Sequence, residues 1–249
     1  MAISNRLILF GEHLENNVLF PVPHRQYVFS LPIMLKVYFK YDRSLLSKLC
    51  LCAWCSLLLF FRKSINLESG VPGAALIIHT FGNYPDKFHP HVHLIVTDGL
   101  FRNTGTFYVM RKVDLKPLED IFKVSIFKML KKEGKINDDL INKLSQWKHS
   151  GFSVHNGVRI EKDNNKAREA LSQYIARNAF SQERVTFLNS SKIIYRSKLQ
   201  KEKDKGKNNF KVFNTQEFIA ALTQHIPNKS FQTARYYGWY SNKSRGIEA

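Results

Sequence analysis

An α+β fold built on a mainly antiparallel sheet, flanked by helices, is what this sequence predicts, on three observations. β-rich runs at 74–80 and 91–97 mix with helical stretches but without the strand–helix–strand rhythm of a parallel sheet. Those two runs are joined by the turn formers Gly82-Asn83-Tyr84-Pro85-Asp86, a link suited to neighbouring antiparallel strands. The 249 residues are 44% hydrophobic and 23% charged, which allows a sizeable core and excludes disordered and collagen-like classes.

Taken in order, 27–31 reads as a short strand ended by Pro32, and 44–61 as a helix. The apolar run 49–61 inside that helix is 13 residues long, between Lys48 and Arg62-Lys63. Roughly 20 residues are needed to cross a bilayer, so a buried helix is expected and no membrane partner. The N-terminal apolar patch at 7–10 lacks a cleavage pattern, so a cytoplasmic protein is expected. A third strand is predicted at 105–111, after Asp98-Gly99, and helices at 115–132 and 138–147. A hairpin is predicted at 154–160 around Asn156-Gly157. Ala170, Leu171, Tyr174 and Ile175, spaced by three and four, predict a helix over 166–178. A last helix is predicted at 215–225, opened by Thr215, with Phe218 where a capping box would place Glu. The expected domains are an N-terminal extension (1–22), a main domain (23–190) and a basic C-terminal region (191–249) packed on it.

Charge points to the partner. Lys and Arg number 38 and Asp and Glu 20, a net +18, and residues 141–249 carry +12 of it. Such a surface attracts polyanions, with nucleic acid the leading class. Residues 192–211 hold eight Lys/Arg against Glu202 and Asp204, and the composition of 201–209 is that of a solvated or phosphate-gripping loop. The three cysteines, Cys50, Cys52 and Cys55, lie inside the apolar helix. They are too few for a disulfide framework or a closed zinc site, and packing is the expected role.

The chemistry begins at His89-Pro90-His91-Val92-His93. Alternation on a strand puts His91 and His93 on one face while Val92, Leu94 and Val96 enter the core. Two imidazoles so placed can converge on a divalent metal, and His79, near the end of the partner run, is a candidate third ligand. The alternative is an incidental pair on a half-exposed strand. Tyr174, on its amphipathic helix, is either core or a nucleophile. A phenol attacks phosphate poorly unless a metal polarises the phosphoryl group, so a metal site and a helical tyrosine support each other.

The His-hydrophobe-His strand with a helical tyrosine resembles the HUH endonucleases, which cut and rejoin single-stranded DNA through a phosphotyrosine link. More closely, an ordered set of stretches resembles rolling-circle insertion-sequence transposases of the IS-ninety-one type. These are Pro23-His-Arg-Gln-Tyr-Val-Phe-Ser-Leu-Pro32, His79-Thr-Phe-Gly82, the stretch from His89 to Phe101, Gln173-Tyr-Ile-Ala-Arg177 and the stretch from Arg235 to Gly246. The resemblance implies an HUH-like fold, a Mg²⁺ or Mn²⁺ ion held by His91 and His93 with His79 less secure, and Tyr174 attacking a scissile phosphodiester. Imidazole ligands favour Mn²⁺. Relatives often begin with a cysteine-rich segment and some carry a second tyrosine where Asn178 stands here, so a shortened copy that binds DNA without cutting it is the alternative. A water-using metal hydrolase is a third.

The C-terminal Arg235-Tyr-Tyr-Gly-Trp-Tyr-Ser-Asn-Lys-Ser-Arg245 interleaves aromatics and cations, a composition that either stacks on unpaired bases or packs against the core. The expected DNA contacts, with single-stranded element ends as partner, are Arg177, Lys192, Arg196, Lys198, Arg235, Tyr236, Tyr237, Trp239, Lys243 and Arg245.

Overall fold

The computed structural model describes residues 2–147, 150–177, 180–197 and 209–242, with side chains from Leu9 onward. The chain begins with α1 (Ala2–Asn17), β1 (His24–Ser30), α2 (Ile33–Tyr41), α3 (Leu45–Ile65), β2 (Gly73–Phe81), β3 (Phe88–Thr97) and the short β4 (Gly99–Phe101) and β5 (Phe107–Val109). Then come α4 (Lys116–Lys132), α5 (Asp138–Gln146), β6 (Ser153–Asn156) and α6 (Asn165–Ile175). The remainder is β7 (Val185–Phe187), β8 (Lys192–Arg196), β9 (Phe210–Asn214), α7 (Thr215–Thr223) and β10 (Ala234–Gly238). The predicted class holds: mixed α+β, with a five-stranded sheet in the order β10-β2-β3-β1-β6 and antiparallel β10–β2, β3–β1 and β1–β6 pairs.

Contacts divide the chain into two units, one of Met1–Ile78, His91–Arg177 and Thr233–Ala249, the other of His79–Pro90 and Asn178–Gln232.

In the first unit, alternation along β1 and β3 gives the sheet two unlike faces. Tyr27 and Phe29 are buried on one, where Tyr27 meets Phe61 of α3 edge-on at 5.9 Å between centroids and Phe29 meets Phe122 of α4 at 4.9 Å. Each such aromatic burial is worth about 1.5–3 kcal/mol. The other face packs Ala75, Ile77 and Ile95 against Leu14 and Val18 of α1 and Ile175 of α6. Arg168 of α6 donates to Glu15 of α1 at 2.7 Å, and a Cβ on Gly11 of α1 would stand 3.1 Å from Gln173 of α6. The register is pinned by Arg25, which donates through Nε and Nη2 to the buried Asp98 at 3.2 and 3.0 Å.

The apolar helix extends beyond the 13-residue run that marks it. It continues to Ile65, closed by Asn66 in the left-handed region at φ 57°. At 21 residues α3 is long and apolar enough to cross a membrane by length and composition, yet 61% of its most apolar window is buried within the fold, against the sheet and α4.

Two local expectations are corrected. Residues 154–160 do not fold back on themselves: β6 pairs with β1, Gly157 N donates to Gln26 O, and Ile160 bridges His24. Gly157 lacks the positive φ that a tight Asn-Gly hairpin requires, so the segment runs on along β1. The last helix is capped one residue earlier than expected, by Asn214, whose N–H donates to Glu217 at 3.2 Å; the reciprocal acid is there, three residues on.

The second unit is organised around the antiparallel β7-β8-β9 sheet. Its inner face buries Ile193, Tyr195 and Phe213 with Phe218 of α7, and Tyr84 packs on the cluster. Gln224 Nε2 donates to Pro85 O at 2.7 Å, and Lys211 pairs with Asp86.

Candidate active site

His91 and His93 stand opposite Ser30 and Val28 of β1, on the sheet face that also carries Ile95, while Val92 and Leu94 are buried with Phe29 and Tyr27. The alternation expected from the sequence is therefore realised. The two rings are buried, their centroids 4.8 Å apart, and a ligand atom from each, together with one from His79 on the neighbouring β2, lies within 4.8 Å of the others.

Three nitrogens each about 2.1 Å from one cation lie about 3.0–3.6 Å from one another, so the rings need to close by up to about 1–2 Å to share one. The protonation state suits a ligand. Burial, aided by the Arg177 charge, pushes His93 down to about 4, which keeps its imidazole neutral at pH 7.

Sequence reasoning assigned no role to Gln26, although it lies in the first quoted stretch. Its side-chain Nε2 lies 3.0 Å from His93 Nδ1, where the amide N–H donates to the ring; turning the amide over brings Oε1 to the same place. With the amide oxygen turned to accept from Nδ1–H, the lone pair of Nε2 is left for a cation, the usual support for a ligating histidine. A period of two puts Gln26, Val28 and Ser30 on one face of β1, and the register with β3 makes it the face that carries His93 and His91.

Tyr174 lies in the last turn of α6, whose start is set by Asn164 accepting from Ala167 N at 3.1 Å. Ile175 is buried in the cluster beneath, whereas Tyr174 is 46% exposed. Its ring meets His93 edge-on at 6.0 Å between centroids, and the guanidinium of the exposed Arg177 is 4.8 Å from the ring centre. Tyrosine, arginine and histidine pair thus come together from segments some eighty residues apart in sequence.

The C-terminal aromatics are built into the first unit. On β10, Tyr236 packs on the α1–α6 side of the sheet and Tyr237 stacks on Trp54 at 5.3 Å. Arg235 donates to Ser47 Oγ at 2.7 Å, and Trp239 stacks on Phe101 at 4.8 Å. Each of the two stacked rings therefore has one face covered by another ring. Lys192 and Arg196 are exposed on β8. Lys198, Lys243, Arg245, most of the 201–209 loop and Asn178 lie outside the described residues. Cys50 and Cys52 are buried and Cys55 exposed; burial pushes the Cys50 thiol up to about 12. Among the described residues it is the histidines, and not the cysteines, that gather three metal-capable groups.

For a basic α+β chain with a histidine cluster in its sheet and an exposed tyrosine beside it, sequence comparison gives the class. The chain belongs to the transposase family described as "Putative transposase", which it matches over residues 73–246. It is similar to the transposase for insertion sequence element IS801 of Pseudomonas savastanoi pv. phaseolicola, at 24% identity over 246 residues. That alignment covers 94% of this chain and 58% of the relative, so the chain spans a little over half the relative's length. The resemblance to insertion-sequence transposases of the IS-ninety-one type is borne out. No solved structure matches.

Proposed function

We propose that this protein is a DNA transposase that cleaves and rejoins single-stranded DNA through a covalent bond to Tyr174, with Mg²⁺ or Mn²⁺ held by His91, His93 and His79. The observation that carries the reading is the placement of Tyr174: half-exposed at the end of α6, with its ring against His93. The family supports DNA as substrate, and the net charge of +18 supports a polyanionic one.

The roles follow from position. Ile175 anchors the helix end in the core, which turns its neighbour Tyr174 toward the histidines. Gln26 orients His93. Arg177, next to the phenol ring, offers a cation to the phosphate and to charge developing on the phenol oxygen. The bound metal would polarise the phosphoryl oxygens. A P–O bond to the phenol oxygen forms as the P–O bond to the leaving sugar oxygen breaks, and the phenol proton is made up on that leaving oxygen. The number of phosphodiester bonds is unchanged, so a second DNA end can reverse the step without ATP.

The test is covalent capture. A single-stranded oligonucleotide from an element end, incubated with Mn²⁺, is expected to give a protein–DNA adduct that survives denaturing electrophoresis. Tyr174→Phe removes the adduct and leaves binding intact. An adduct that persists in Tyr174→Phe overturns the nucleophile assignment.

A further inference from the structure

In the second unit the three-stranded sheet has one face turned to its own core and one turned outward. The register puts Arg196 directly opposite Phe210, Ile194 between Thr186 and Val212, and Lys192 opposite Asn214. Ile193, Tyr195 and Phe213 point inward and are buried, so their neighbours on each strand point out. Phe210 is 42% and Val212 45% exposed, and Lys192 and Arg196 are exposed as well. The hydroxyl of Thr186 lies 3.5 Å from Arg196 Nη1, on the same side. No Asp or Glu stands on this face among the described strand residues.

The composition selects the occupant. An apolar sheet face beside two cations, with no acid among its described strand residues, does not suit a second copy of a chain that carries +18. It suits an anion with flat apolar faces. Lys192 and Arg196 are four residues apart on one strand, about 13 Å, room for more than one backbone phosphate. The ring of Phe210 beside Arg196 is a surface for a base, and only an unpaired base has a free face to give it.

We infer that the outward face of β7-β8-β9 is a platform for single-stranded DNA, on which Phe210 stacks against a base while Arg196 and Lys192 meet phosphates. This deepens the proposed function and rests on it only in taking DNA as the polyanion.

The experiment measures binding without chemistry. Wild-type protein in EDTA is titrated against a fluorescein-labelled oligothymidylate of about 20 nucleotides, and against a duplex of that length, by fluorescence anisotropy over a range of salt. Phe210→Ala is expected to weaken single-strand binding about tenfold, Phe210→Tyr to retain it and Phe210→Leu to stay weak. Arg196→Ala and Lys192→Ala each weaken it a few-fold and reduce the slope of log K against log salt by about 0.7. Unchanged affinity in both Phe210→Ala and Arg196→Ala overturns the platform. So does full affinity in Phe210→Leu, an equal loss on duplex, or a parent dimer that Phe210→Ala dissociates in the ultracentrifuge. Failure of the Tyr174 adduct with these losses intact would sink the chemistry and leave the platform; an intact adduct with no losses would do the reverse.

Discussion

His93 meets three constraints at once: Gln26 against its Nδ1, the ring of His91 on one side and that of Tyr174 on another. A side chain so confined has few rotamers left to lose when it takes a ligand, which is what preorganisation means at a single residue. Gln26 is the part of this arrangement that acts through another group, and its removal is informative. Gln26→Ala is expected to weaken Mn²⁺ binding about 10- to 100-fold in calorimetric titration, and Gln26→Glu, which keeps an oxygen to accept from Nδ1–H, to restore most of it. Equal affinity in wild type and Gln26→Ala would mean that the amide does not orient the ring. The histidine pair was legible in the sequence because a strand has a period of two and the alternating valines and leucine fix its phase. Gln26 was not, since a glutamine on a strand reads as a solvent-facing residue until the neighbouring strand's register is known.

Among the elements, α6 carries the most consequence, because it positions Tyr174 and is itself held by α1. The clamp is the ion pair of Arg168 with Glu15, whose side chains are 9% and 14% exposed. Arg168 also donates to Lys162 O and Asn165 Oδ1. Breaking one side leaves the other charged and desolvated, so Arg168→Ala is expected to lower stability by about 3–5 kcal/mol, and Glu15→Ala with Arg168→Ala to recover part of that, in denaturant unfolding. Little of this was visible beforehand. The first helix shows only a short apolar patch, and its partner lies some 150 residues away. The strand β10 was hidden for a different reason: Arg235, Tyr236 and Tyr237 have the composition of a nucleic-acid contact, and only pairing with β2 shows that Tyr237 has Trp54 and Arg235 has Ser47 as neighbours. The helix of Tyr174 was legible because its apolar residues repeat at three and four.

For the whole molecule, the buried histidines set the response to acid. His24 is buried, with Nε2 2.6 Å from the hydroxyl of Tyr240, and burial, with the Arg168 charge second, pushes it down to about 3. The folded state keeps it neutral, whereas the unfolded chain takes up a proton below its ordinary value of about 6.5. Between those values the unfolded state binds more protons, so this contribution is complete above about pH 6.5 and is lost as pH falls toward 3. His93 acts in the same sense. Each histidine contributes a slope of at most about 1.4 kcal/mol per pH unit. In metal-free buffer, His24→Gln is expected to reduce the slope of unfolding free energy between pH 6 and about 4 by roughly that amount; an unchanged slope would show that His24 titrates alike in both states. The excess of positive charge was evident from composition alone, whereas the sites of buried titration depend on which face each strand presents.

One feature of α3 has a practical use. Of the three thiols, two are enclosed and Cys55 alone reaches solvent, on a helix packed against the side of the sheet opposite the histidines. The native chain thus brings its own attachment point for a fluorophore. A maleimide dye placed there, paired with a dye on an oligonucleotide, would report distance during strand capture by energy transfer, with no cysteine engineered and no reporter crowding the phenol.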